Sequence, residues 1–345
     1  SIPAGLPEIF SSHGYATAAF VSSRALNRQY WSNPPFDRYD DDLSGGLERP
    51  GSGTLAAVQD YLESTSPGQK FFLWIHLNEP HEPYAPPEPW RSQWGDTYSG
   101  EVAAVDELVG QLMKLVYAGG RTQKNTLVVF LSDHGESLGE HGEATHGTLL
   151  YDATLSIPCA IAGPGIKPGT GMEGDSSILD VAPTVLAYMG WEAPPGGLGT
   201  DGETLLHGRR WQAREKAQFH ESMSGYFHYG WAPLFARTQD KRKFILAPEP
   251  EYYDLAADPS ESRNQYLAMK QDLPPLWTEE LRGYIGSASR APSSSDTTGD
   301  PSLAGLGYVW AGADRADDPP DPKRLIHLEP DIKRAALAFR EGDIA

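Results

Sequence analysis

The apolar run TLVVFL (126–131) ends abruptly in Ser132-Asp133-His134-Gly135, and Glu140 and His141 follow shortly afterwards. A carboxylate beside an imidazole at the mouth of a buried strand offers an oxygen and a nitrogen donor to a divalent cation. Two donors do not fill a coordination shell, so further oxygens have to come from elsewhere. The same residues have a local reading as well. Asp133 and Glu136 stand at the spacing of a helix capping box, which would make the aspartate a structural cap.

A second candidate is His81, in HLNEPHEPYAPPEPW (76–90). It lies between Pro80 and Pro83, in a loop stiffened further by Pro86, Pro87 and Pro89. An imidazole held beyond a strand end suits a general acid for a departing oxygen. The plainer alternative is a Pro-rich surface loop with an incidental histidine. His76, nearer the strand, reads as a hydrogen-bonded structural residue. A third segment, GEATHGTLLYD (142–152), carries His146, which could bind an anionic substrate oxygen, and Asp152, which reads as an anchor for backbone amides.

The elements that must position these groups are legible as patterns. Residues 16–22 and 70–77 read as strands, the latter a continuous apolar run of the kind buried on both faces. GTLAAVQDYLES is amphipathic and helical. Between 98 and 118, Val102, Val105, Leu108, Val109, Leu112 and Val116 recur at helical spacing. NTLVVFLS and SIPCAIAG read as further buried strands, with the single cysteine, Cys159, in the core. SILDVAPTVLAYMG reads as a helix closed by Gly190.

This alternation predicts an α/β fold with a mostly parallel sheet flanked by helices, whose ligands sit beyond the carboxyl ends of the strands. APLFARTQDKRKFIL and EYYDLAADPSE predict a smaller antiparallel α+β subdomain. The expected organisation is a core over 1–212, a C-terminal subdomain over 213–286, a Ser/Pro/Gly/Asp-rich linker over 287–322 and the start of a helical region over 323–345.

Composition narrows the function. A formal charge of −19 argues against a basic nucleic-acid-binding face, and 39% hydrophobic residues with nine Trp are ample for a packed core. One cysteine excludes an internal disulfide framework and a cysteine-rich zinc site. No apolar run is long enough to span a membrane, and no signal peptide opens the chain. Localisation stays open on sequence grounds, an extracytoplasmic or membrane-associated parent protein included.

Three loops, each bringing His or Asp to one sheet edge, are more specific together than singly. The segments FFLWIHLNEPHEPYAPPEPW, NTLVVFLSDHGESLGEHGE, HGTLLYDATLSIPCAIAGPG and EYYDLAADPSESRN resemble, in order, signature segments of the sulfatase family of the alkaline phosphatase superfamily. The resemblance covers about residues 1–285. The sequence beyond the linker is similar to members with downstream tetratricopeptide repeats, which implies a surface for a protein partner. The resemblance implies a metal-dependent sulfuric ester hydrolase acting on a small-molecule or glycan sulfate ester. Asp133 and His134 would be metal ligands, usually for Ca2+. His81 matches the imidazole that protonates the leaving group. His146 lies one residue out of register with a Lys or His that grips the sulfate.

Some sulfatases carry Asn where His134 stands, so the pair also fits phosphodiesterases, phosphonate monoester hydrolases and phosphoglycerol-type transferases of the superfamily, with Mn2+ or Zn2+ as the metal. A decayed, non-catalytic sulfatase module is the remaining alternative. The paired aspartates that supply the family's first metal ligands, and its Cys-x-Pro/Ala-Ser-Arg motif whose Cys becomes formylglycine, do not occur in the sequence. They are expected upstream of Ser1, so this chain alone is expected to be inactive. Specificity would lie in loops such as 90–98 and 194–210, where Trp94, together with Trp191 and Trp231 elsewhere, could stack on a sugar ring.

Overall fold

Residues 16–20, all apolar except Thr17, form strand β1 (Ala16–Phe20), and Ala18, Ala19 and Phe20 are fully buried. This follows from a central strand covered on both faces. The structure is a computed structural model that describes residues 4–30, 34–66, 68–194, 197–198, 201–208, 210–288 and 318–341. In it, β2 (Arg38–Asp40) and β3 (Phe71–Ile75) flank β1 in the order β2-β1-β3, both parallel to it. On one face Ala18 and Phe20 pack with Val58 and Leu62 of helix α1 (Gly51–Ser64) and Val116 of helix α2 (Tyr98–Val116). On the other, Ala19 and Val21 meet Tyr39, Phe36 and Trp74. Thr97 caps α2, its Oγ1 accepting Gly100 N–H at 3.2 Å.

The described chain divides into two compact units, each discontinuous in sequence. The parallel sheet belongs to the first (1–129, 160–170 and 189–201), and the antiparallel sheet to the second (130–159, 171–188 and 202–345). Strands β4 (Val128–Leu131) and β5 (Cys159–Ala162) form a two-stranded pair. Cys159, expected in the core, is instead exposed. Its strand is paired along one edge, and Cys159, Ala160 and Ala162 all face solvent.

In the second unit, β6 (Gln218–Ser222), β7 (Leu234–Gln239), β8 (Arg242–Leu246) and β9 (Glu251–Asp254) form an antiparallel sheet in the order β9-β8-β7-β6. A two-residue loop joins β7 to β8. Asp240 and Lys241 both have positive φ there, the geometry whose twist matches a hairpin. Alternate side chains serve opposite faces. Leu234, Ala236, Ile245 and Tyr253 pack under Leu149, Leu150 and Tyr151, whereas Phe235, Phe244 and Tyr252 pack with Leu281 and Trp277 of helix α3 (Pro275–Ala288). The segment that follows His146 is thus seated on this sheet.

Residues 318–341 are also built into the second unit. Ile326 joins the cluster under Leu149, and a terminal helix runs Glu329–Glu341, where the tail pattern predicts one. The expected linker lies largely outside the described residues. Among the described residues, no helix is long and apolar enough to cross a membrane.

Candidate functional site

The candidate ligands stand directly beyond β4. No helix begins at Asp133, so the capping-box reading fails; Asp133 Oδ1 accepts His134 N–H at 3.0 Å within an irregular loop. His134 Nδ1 donates to the Gly135 carbonyl at 2.8 Å. That bond leaves Nε2 as the nitrogen that can bind an ion, the arrangement in which ligating histidines are usually held. Nε2 lies 3.8 Å from Asp133 Oδ1. Two donors set at right angles about 2.4 Å from one cation stand about 3.4 Å apart, so the pair fits a shared ion after a small adjustment. The Asp133 carboxylate is 75% exposed and the His134 ring 42%. Among the described residues, no group of three or more His, Cys, Asp or Glu side chains is arranged to hold a metal.

Gly135 fixes the height of this loop. Its N–H donates to Thr154 O at 2.7 Å, and a Cβ added there would lie 2.5 Å from Ala153 O. Only glycine permits that approach.

His146 comes to the same place. Its ring stacks on His134 with centroids 4.0 Å apart, and its Nδ1 donates to Glu136 Oε1 at 2.9 Å. Glu136, 4% exposed, therefore orients His146 rather than closing a capping box. The other two residues of the motif support the loop. Glu140 accepts Leu138 N–H at 2.7 Å, and His141 stacks on Tyr151 at 3.5 Å and bonds Ser260 O.

His81 belongs to the first unit. Its loop is tied down by two carboxylates. Glu101, buried on α2, accepts His81 N–H at 3.0 Å and Ala85 N–H at 2.7 Å, and burial raises its pKa. Glu79 accepts the first amide of α1, from Gly51, at 2.7 Å. The ring is fixed as well, with Nδ1 2.5 Å from Glu82 O. His76 is hydrogen-bonded, as expected: its Nδ1 accepts Ser22 N–H at 3.4 Å, and its carbonyl accepts Ser22 Oγ at 2.6 Å. Asp152 differs from its expected role, since its carboxylate pairs with the buried Lys243. Of the three tryptophans, Trp231 is buried and Trp191 stacks on His13 at 3.8 Å, leaving Trp94 exposed.

Comparison with known proteins decides the family, because the model of the sulfatase family matches residues 1–191. The chain belongs to the sulfatase family. Choline-sulfatase of Rhizobium meliloti is 33% identical over 169 residues, covering 48% of this chain and 32% of that one. N-acetylglucosamine-6-O-sulfatase of Bacteroides thetaiotaomicron is 30% identical over 213 residues, 56% of this chain and 37% of that one. The chain thus spans about a third of the length of these curated relatives. Among solved structures, a protein in complex with its substrate D-glucosamine-2-N,6-O-disulfate superposes with a TM-score of 0.64 at 18% identity. The match covers 81% of this chain and 82% of that one, and it shows a shared fold.

The His146 loop also contains a titrating anchor. Glu143, 2% exposed, accepts Thr148 N–H at 2.8 Å and Leu149 N–H at 3.1 Å. Burial, with the nearby Glu329 charge, pushes its pKa up to about 7. Between pH 4.5 and 7 the unfolded chain has released this proton while the fold retains it, so stability falls as pH rises through that window. Glu143→Gln keeps an acceptor and removes the ionisation. The variant should be roughly 2–3 kcal/mol more stable than the parent at pH 8, with the difference vanishing near pH 4. Urea midpoints at the two pH values measure it.

Proposed function

We propose that the chain is part of a cation-dependent sulfuric ester hydrolase whose substrate is a sulfated sugar. The observation that carries the reading is the pinned His134 ring, which presents Nε2 beside the Asp133 carboxylate at a strand end in a sulfatase-family chain. A divalent cation bound there would neutralise charge on the sulfate oxygens. In this reading His146, held by Glu136, would bind a sulfate oxygen, and His81 would protonate the departing alcohol. N-acetylglucosamine-6-O-sulfatase, 30% identical, supports a sugar ester, and choline-sulfatase, 33% identical, makes a small quaternary amine ester the substrate to test against it. The Cys-x-Pro/Ala-Ser-Arg motif does not occur among the 345 residues, so assayed alone they are expected to turn over no ester.

The test uses the intact protein with N-acetylglucosamine 6-sulfate, choline sulfate and a phosphonate monoester, following released anion by ion chromatography. Sulfate release from the sugar, abolished by chelator and restored by Ca2+, is the expected result. Preferential turnover of the phosphonate, with Mn2+ or Zn2+ restoring activity, would move the assignment to the phosphorus-directed branch. That second reading is favoured by one feature, the imidazole ligand at His134, which suits Mn2+ or Zn2+ better than Ca2+.

A further inference from the structure

Lys243, on β8, has a side chain with 0% exposure. A buried ammonium is costly unless it is fully paired, and this one is: Nζ lies 2.5 Å from Asp152 Oδ1, 2.7 Å from Glu261 Oε1 and 3.3 Å from Leu150 O. So enclosed, it cannot touch a substrate. Its partners, however, lead to the candidate metal loop. The second Glu261 oxygen accepts Asp152 N–H at 2.6 Å, so Lys243 and Glu261 together grip the first residue of the short helix Asp152–Leu155. The carbonyl of Thr154 in that helix holds Gly135 N–H, and the Gly135 carbonyl holds the His134 ring. The close approach at Gly135 leaves this seat little slack.

We infer that Lys243 is a positioning residue for the cation site, the antiparallel sheet setting the orientation of His134 through Asp152, Glu261 and the backbone of residues 152–155. The role rests on the proposed metal site. It predicts a local effect: without the lysine, the buried Glu261 carboxylate and the partly exposed Asp152 carboxylate are left unpaired beside each other at the start of the helix, and the helix moves away from Gly135. A merely structural lysine would loosen the sheet and the loop equally.

The experiment is Lys243→Met in the intact protein, with hydrogen exchange followed by mass spectrometry. Amides in peptides spanning 132–137 should exchange at least about tenfold faster, while those of β7 and β8 keep their protection, and affinity for Ca2+ or Mn2+ should fall about 10–100-fold. If Lys243→Met does not fold, Asp152→Asn weakens the same grip while Glu261 still pairs the lysine, and it should shift both readouts the same way by a smaller amount. Unchanged exchange at 132–137 in a folded variant, or exchange raised equally in the strands, overturns the inference. A parent protein that binds no cation would defeat the proposed metal site instead, and the exchange measurement would then judge Lys243 by itself.

Discussion

Asp133→Ala in the intact protein should lower divalent-cation affinity at least about 100-fold and take sulfate release down with it, leaving the fold intact. Outer partners of metal ligands already cost 10–100-fold when removed, and a direct carboxylate ligand supplies both an oxygen and a negative charge. The effect is separable from stability because the side chain is 75% exposed and accepts its hydrogen bond from the neighbouring His134 N–H. The urea midpoint should therefore correspond to a change within about 0.5 kcal/mol. Asp133→Asn, which retains one neutral oxygen, should fall between parent and alanine. Calorimetric titration with Ca2+ and Mn2+ measures all three proteins. Equal affinities would remove the metal assignment and leave the non-catalytic module as the better account.

How far the sequence reveals such a site depends on whether a residue's partner is near it in the chain. The parallel strands are legible because β1 and β3 are apolar runs, and β1 is buried on both faces, a pattern that short windows capture. The strand Gln218–Ser222 is not, since an edge strand with alternating polar residues resembles a loop. Cys159 shows the converse error, an apolar run that looks like core but lies in a pair with open sides. Asp133 and His134 stand out by type and by their place beyond β4, and His81 stands out in its own Pro-rich loop. Glu136 does not, because its spacing from Asp133 imitates a helix cap while its true partner, His146, is ten residues away. Glu101 and Lys243 are harder still. Glu101 lies inside an apolar helical stripe, with partners 16 and 20 residues distant, and Lys243 inside a hairpin, with Glu261 18 and Asp152 91 residues away. Position in the pattern marks such charges as odd, and only the fold supplies what they hold.

His81→Ala should separate substrates by leaving group. Glu101 grips the loop through the backbone of His81 and Ala85, so truncating the imidazole removes the proposed proton donor and leaves the loop's anchor in place. With Nδ1 directed at the Glu82 carbonyl, Nε2 can release a proton only from the doubly protonated ring, a form which that carbonyl accommodates. A sugar alkoxide is a poor leaving group and needs that proton in the transition state; nitrophenolate departs almost unaided. The variant should lose about 10²–10⁴-fold in kcat on a sugar sulfate and under about tenfold on nitrophenyl sulfate. Parallel steady-state assays on the two esters settle the role. Equal losses would mean that the ring binds the sulfate group common to both substrates, and protonation of the departing oxygen would then have to be assigned to another residue.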